Sequence, residues 1–369
     1  MERLETIVVG GGQAGLATGY WLAKRGGSFL ILDASERVGD AWRTRWDSLR
    51  LFTPARYDAL PGMRFPAPNW TFPTKAEMAD YLEAYAARFG LPVRTGVRVN
   101  RMSRDDDGFV LESDRGRFVA DRVIVASGAH RIPRTPPFAF ELDPDVVQLH
   151  SSDYRRPAQL RDGPALVVGV GNSGAEIAVE LARERHTILA GTESGHLPFR
   201  HGPTTARTAF RVVRFVGTHV ITRSTPIGRA IGRKMTSRAD PLIRTRPKEL
   251  AAAGVERVGR VACVRGGMPV LEDDRVLEVS NVIWCTGYHH HFPWIDLPVF
   301  DEHGAPRHRR GLVASEPGLA FVGLVFQQRL SSDVLPGVGR DARYVVHHLD
   351  AAPDPADRLG AWTSTTSPT

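Results

Sequence analysis

The sequence predicts an α/β fold made of two parallel-sheet units, one inserted in the other. Three observations predict it: two glycine fingerprints of one form, a short apolar strand-like run ahead of each, and a strand ending in small residues behind each. The first fingerprint is Gly10-Gly11-Gly12-Gln13-Ala14-Gly15 and the second is Gly169-Val170-Gly171-Asn172-Ser173-Gly174. In such a spacing the first glycine allows a tight strand-to-helix turn. The second lets backbone approach a pyrophosphate, and the third lets the helix pack on the strand. Phosphates then meet free N–H groups at the positive end of the helix. Each fingerprint therefore reads as a Rossmann-like dinucleotide cradle. Two cradles imply two dinucleotides and electron transfer between them.

Glycine spacing alone is a weak signal in a chain with 36 glycines, so the flanking elements decide. Ahead of the first cradle, Leu4 to Val9 reads as a strand with a buried Ile7-Val8-Val9 run. After it, Leu16 to Arg25 reads as a helix with Lys24 and Arg25 in its last turn and Gly26 as C-cap. Phe29 to Leu32 is the next strand, and it ends at Asp33, a carboxylate placed to accept ribose hydroxyls. The second unit repeats the order: Ala165 to Val168 as strand, Asn172 to Arg185 as helix, Thr187 to Ala190 as strand. Thr192 stands where the acid would be, which leaves room for a 2′-phosphate, with His196 and Arg200 downstream as candidate contacts. Glu193 argues for a bare ribose instead. The balance favours NADPH and leaves NADH open.

The two units also close alike, with Val123-Ile124-Val125-Ala126-Ser127-Gly128 in the first and Val282-Ile283-Trp284-Cys285-Thr286-Gly287 in the second. A polar linker is read from Asp143 to Gly163. Phe321 to Phe326 reads as a last buried strand of the first unit, followed by a helix over about Gly339 to Leu349. The first unit is thus discontinuous, residues 1–155 and 288–350, and the second spans 156–287. An Arg-rich helical insertion covers about 202–250, and residues 351–369, rich in Pro, Ala, Ser and Thr, are expected to fray.

Composition fits this reading. The 369 residues are 42% hydrophobic and 24% charged, ordinary values for a globular protein. No apolar run reaches the ~18 residues of a membrane span, and the chain enters its first strand without a signal-peptide layout, so a cytoplasmic protein is expected. The only cysteines are Cys263 and Cys285. That excludes a disulfide scaffold, and it excludes the disulfide reductases, which need a redox cysteine pair near the first fingerprint. The net charge is +7. Between Gly202 and Arg246 the only acid is Asp240. A solvated insertion that attracts an anionic dinucleotide is the plain reading. The lesser readings are contact with anionic lipid or with a partner protein, and the run Phe210 to Val216 reads equally as an interfacial segment or as a buried helix. No nucleic-acid motif accompanies the charge.

The chain resembles the two-domain flavin-dependent monooxygenases, a group with the flavin-containing monooxygenases, plant YUCCA-type enzymes and Baeyer–Villiger enzymes. It is most similar to short bacterial flavoproteins loosely linked to ion transport. Besides both fingerprints, the resemblance rests on Gly39 to Arg43, Arg45 to Leu51, Phe72 to Lys75, Trp284 to Tyr288 and Gly337 to Ala342. The second half of the family's linker fingerprint is present as His150 and Tyr154, while Pro144 and Val146 replace its first half. Thr192 replaces a customary Arg, and Thr53-Pro54 an Asn of the animal-type enzymes. The resemblance implies FAD in the first unit and a nicotinamide dinucleotide in the second. It also implies insertion of one oxygen atom of O2 into a small organic substrate through a C4a-peroxyflavin. The rival is a flavoprotein that does not oxygenate, either an NAD(P)H-driven reductase or a nucleotide sensor.

The implied FAD residues are Gly10, Gly12, Gln13, Ala14, Gly15, Asp33, Trp42, Arg43, Ala126, Gly128, Gln327 and Leu330, with Arg45 and Ser331 beside them. The implied nicotinamide residues are Gly169, Gly171, Asn172, Ser173, Gly174, Thr192, Arg200, Thr286 and Gly287. Trp42 is either a wall of the flavin pocket or core. His150 either lines the nicotinamide site or is a structural linker histidine. The His289-His290-His291 run is not read as a metal site, because adjacent side chains diverge and neither cysteine is spaced to join it. Substrate and oligomeric state are not legible.

Overall fold

The computed structural model describes residues 2–128, 132–192, 195–235, 241–289 and 292–350. The tail after Asp350, Glu193, His290 and His291 lie outside the described residues. The chain builds two sheets around parallel strands. The first contains β1 (Glu2–Val9), β2 (Phe29–Leu32), β3 (Val93–Arg94), β4 (Val99–Asp105), β5 (Gly108–Ser113) and β6 (Gly116–Val125) in the order β3-β2-β1-β6-β5-β4. The far half of β6 leaves β5 and pairs in parallel with a strand that arrives late in the chain, Leu319–Phe321. Helices α1 (Gln13–Arg25), α2 (Asp40–Arg43) and α3 (Lys75–Arg88) follow the early strands. Thr74 and Glu77 close a reciprocal capping box that starts α3.

Between β7 (Ile132–Pro133) and β15 (Tyr288–His289) the chain builds the second sheet from β8 (Val147–His150), β9 (Ala165–Val168), β10 (Thr187–Ala190), β11 (Glu256–Val258) and β14 (Asn281–Trp284). Its order is β11-β10-β9-β14-β8, and every pairing is parallel. The hairpin β12 (Val261–Arg265) and β13 (Met268–Leu271) lies outside it. Helix α4 (Asn172–Leu181) follows β9. Helices α5 (Pro203–Arg207), α6 (Ala209–Phe215) and α7 (Pro226–Met235) make up the Arg-rich insertion, and α8 (Pro247–Ala252) returns to the sheet. The last strand of the first sheet, β16 (Leu319–Phe321), leads to α9 (Leu335–His348).

Each sheet is a middle layer with a core on both faces. On one face of the first, Leu16, Tyr20, Met78, Leu82, Val338 and Val345 of α1, α3 and α9 pack together. On the other, Met102, Phe109, Leu111 and Phe118 meet Phe292, Ile295 and Val299 of the returning chain. Burial of each such side chain contributes about 1.5–3 kcal/mol. The second sheet has α4 and α8 on one face and the β12–β13 hairpin with Ala139, Leu142 and Val146 on the other.

Three expectations change. The segment from Asp143 to Gly163 is not all linker: Val147 to His150 is an edge strand of the second sheet, although the boundary at 155 assigned it to the first unit. Four residues at an edge carry too little periodicity to be seen. The expected strand Phe321 to Phe326 stops at Phe321, because its neighbour β6 ends at Val125 and no partner remains beyond the Val322 N–H bond to Val125 O. Helix α4 ends at Leu181 rather than Arg185, closing in tighter turns in which Arg183 and Glu184 bond back three residues.

One buried acid stands out in the first core. Asp58 is 0% exposed. Its Oδ1 accepts the Thr53 hydroxyl, and its Oδ2 has no partner among the described residues. Burial pushes its pKa up to about 8 from 3.8, against the lowering effect of Thr53. The folded state therefore holds a proton that the unfolded chain releases. The stabilisation is complete below the unfolded pKa and is lost as pH rises through the folded one. Thermal unfolding of the protein is expected to fall in midpoint between pH 5 and pH 8 by more than that of Asp58→Asn. Equal slopes for the two proteins would refute a neutral buried carboxyl.

Candidate functional site

The two fingerprints fold into cradles of the same construction. Gly10 and Gly169 both take φ of +111°, in the left-handed region that favours glycine. A Cβ on Gly10 would strike the Ala126 carbonyl, and one on Gly169 would strike that of Cys285, so each first glycine lies hard against the end of the neighbouring strand. A Cβ on Gly15 would overlap Gly10 O, and one on Gly174 would overlap Gly169 O. The middle glycines differ. Gly12 and Gly171 have ordinary negative φ, and nothing lies within 4 Å of a Cβ built on either. The protein crowds the first and third positions and leaves the second open. That is the shape a pyrophosphate requires, so the residues present fit a dinucleotide at each cradle.

Both openings lie beyond the carboxyl ends of the strands, where the order reverses between β1 and β6 and between β9 and β14. Ligands of open parallel sheets bind at such switch points. In the first cradle, Asp33 accepts the Gly11 N–H with Oδ2 and the Ser35 N–H at 2.7 Å with Oδ1. Each oxygen keeps a second lone pair for a ribose hydroxyl. Gln13 donates through Nε2 to Asp333 O at 2.9 Å, tying the helix start to the C-terminal segment. Ala126 is buried behind Gly10. Gly128 continues the strand end, with nothing near a Cβ built on it.

Several expected cofactor residues bond within the protein. Arg43 is engaged by acids: its guanidinium meets Asp40 at 3.3 Å, Asp80 at 3.1 Å and Glu83 at 2.9 Å, and donates to Val38 O. It fastens α2 to α3. Trp42 is half-buried and packs against the first core. Gln327 is 0% exposed, and both ends of its amide are used on main chain, at Arg310 O and Leu324 N–H. Leu330 faces Gly217, and its N–H bonds Ile221 O at 3.1 Å, which joins the C-terminal segment to the insertion. Ser331 likewise faces the Thr218 hydroxyl, at 3.4 Å.

His150 lies at the crossover, bonded on both ring nitrogens. Its Nδ1 accepts the Ser152 N–H at 3.1 Å, which leaves the proton on Nε2 to donate to Gly287 O at 3.1 Å. Burial lowers its pKa, so it is the neutral ring that makes these bonds. Gly287 O also accepts the Arg134 N–H at 3.0 Å, and Thr286 donates its hydroxyl to Arg134 O. Arg45 bonds the Tyr288 hydroxyl at 3.1 Å, and Tyr288 lies edge-on to the His150 ring. Thr286 and Gly287 thus knit the two crossings of the chain.

In the second cradle, Asn172 is held by the insertion's return segment: its Oδ1 accepts the Ile243 N–H at 2.8 Å, and its Nδ2 donates to Pro241 O. Ser173 stands half-buried in the first turn of α4. The residue that sequence reasoning missed is Arg260. Its Nε donates to Thr192 Oγ1 at 3.1 Å, and beside it Arg257 donates to Gly191 O. Parallel pairing of β10 with β11 brings them there. Arg200 is exposed, beside His201, whose Nε2 bonds Phe52 O. His196 bridges to Leu242. Cys263 is exposed on β12 and Cys285 partly buried after β14, both as free thiols.

Substitution separates the roles of the glycines. Gly12→Val is expected to fold with a near-unchanged melting midpoint and to purify without the flavin that the resemblance implies, read as lost visible absorbance. Gly171→Val should stay yellow and lose nicotinamide binding. Gly15→Val should lose the fold itself. A Gly12→Val protein with full flavin content would refute the cradle.

Residues 7–201 match the model of the pyridine nucleotide-disulphide oxidoreductase family. An uncharacterized CzcO-like oxidoreductase of Geobacillus kaustophilus is 38% identical over 94% of this chain and 98% of its own length. Indole-3-pyruvate monooxygenase YUCCA1 of rice is 35% identical over 49% of this chain and 47% of its own. Among solved structures, a flavin-containing monooxygenase from Stenotrophomonas maltophilia is 28% identical with a TM-score of 0.76, covering 95% of this chain and 99% of that one. Two like-built cradles on one chain accord with these likenesses. The chain belongs to the pyridine nucleotide-disulphide oxidoreductase family and is a flavin-dependent oxidoreductase of the two-domain monooxygenase group.

Proposed function

We propose that this chain is an NADPH-dependent monooxygenase that uses FAD to transfer one oxygen atom of O2 to a small organic molecule. The second oxygen atom leaves as water, and NADPH with a proton supplies the two electrons and two protons this requires. The observation that carries the reading is the pair of like-built cradles, each with an open middle glycine at a sheet switch point. Bound FAD would supply the redox and oxygen chemistry. The first unit would hold it through the N–H groups at the start of α1 and through Asp33. The second unit, with Gly169 to Gly174, would hold the nicotinamide dinucleotide. The units are taken as residues 1–145 with 288–350 and 146–287, which moves β8 to the unit whose sheet it joins.

The chain's own residues then bind, orient and exclude water. Arg260 deepens the coenzyme reading. No acid among the described residues bonds it, and its bond to Thr192 sets a cation at the end of β10, where the ribose of a dinucleotide lies in this fold. A 2′-phosphate there gains a charge-assisted hydrogen bond, of about 1.5–3 kcal/mol. This favours NADPH over NADH, through Arg260 rather than Arg200.

Two measurements test these statements. Anaerobically NADPH-reduced protein is mixed with 18O2 in the presence of thioether, amine and ketone substrates. Labelled product with less than stoichiometric hydrogen peroxide is expected from at least one class. Quantitative peroxide from all of them would instead identify a non-oxygenating reductase. Arg260→Ala is expected to weaken 2′,5′-ADP binding roughly tenfold or more while leaving AMP binding unchanged, as read by calorimetry. Equal losses for both ligands would remove Arg260 from 2′-phosphate recognition.

A further inference from the structure

The insertion carries an exposed surface that is both basic and apolar. Helix α6 exposes five residues in succession, Arg211, Val212, Val213, Arg214 and Phe215. Val212 is 63% and Phe215 58% exposed, high values for apolar side chains. Together with Arg56 and Tyr57 of the first unit, Arg211, Val212, Arg214 and Phe215 line an open cleft of about 410 Å3. Arg214 lies over the Tyr57 ring at 5.0 Å and Arg56 over Trp70 at 5.5 Å. None of the three guanidiniums meets a carboxylate among the described residues. From Gly202 to Met235 the sequence has seven Arg or Lys and no acid.

We propose that this face docks on an anionic phospholipid surface. A bilayer offers the two chemistries the face presents, phosphate at the surface and acyl carbon just beneath. The arginines suit the headgroups, and Val212 and Phe215 suit the acyl boundary. A free anion would find these cations on exposed side chains with no enclosing wall. A nucleic acid would leave Val212 and Phe215 in water. No helix among the described residues is long and apolar enough to cross a membrane, so the contact is peripheral.

The test is flotation of the full chain, with its flavin, on vesicles of phosphatidylcholine alone or mixed with phosphatidylglycerol. Binding is expected only to the mixed vesicles and should weaken as salt rises. Arg211→Gln with Arg214→Gln should partition roughly thirty-fold more weakly. Val212→Ser with Phe215→Ser should also bind less, and Arg88→Gln with Arg98→Gln, exposed arginines outside the cleft, should not. Flavin content and melting midpoint check that each variant is folded, and Arg211→Lys with Arg214→Lys should restore binding. The proposal falls if wild-type protein ignores anionic vesicles. It falls equally if the outside pair matters as much as the cleft pair, or if Val212→Ser with Phe215→Ser binds like wild type.

Discussion

The structure depends on one contact made twice: the third glycine of each fingerprint against the carbonyl of the first. A Cβ at Gly15 or Gly174 would occupy the place of Gly10 O or Gly169 O. Without a side chain, the helix start closes onto the strand end, and the free N–H groups of the first turn face the sheet edge. The middle glycine owes nothing to the protein interior, since nothing approaches it. Three glycines alike in sequence therefore answer to two constraints. Two of them make the turn, and one keeps a surface clear.

That distinction explains what was legible in the sequence. The cradles, the strands before them, Asp33 and the two alike strand ends rest on contacts within a short stretch, where spacing and residue type carry the geometry. The rest depends on partners far along the chain. Arg43 looks like a phosphate ligand until α3 brings Asp80 and Glu83 to it. Arg260 looks like any surface arginine until β11 pairs with β10 and sets it beside Thr192. The one advance signal is Thr192 itself, standing where the resemblance puts a basic residue. Gln327 is polar and follows a strand, as a flavin contact should, but its amide satisfies main-chain groups in the interior.

The link between the sheets is small and specific. The chain crosses at β7 and returns at β15, and the two crossings pair antiparallel. Gly287 O takes bonds from both Arg134 N–H and His150 Nε2–H, which uses both of its lone pairs. Protonation of His150 would add a proton at Nδ1, which now accepts the Ser152 N–H, so the junction selects the neutral ring. In that form the ring ties the segment after β8 to the return crossing at Gly287.

The insertion makes the arrangement more than two domains on a hinge. By sequence it belongs to the second unit, yet Arg223 bonds the main chain of Phe326 and Gln328, and Gln328 reaches Ser224. Its return segment bonds Asn172, and Arg244 sits between Glu176 and the Arg50 carbonyl. Burial raises the pKa of Glu176 to about 7 despite that arginine, so the charge of this contact is poised near neutrality. One element is therefore fastened both to the C-terminal segment beside the first cradle and to the helix of the second. The Arg-rich insertion and its return segment thus share contacts with the surroundings of both fingerprints.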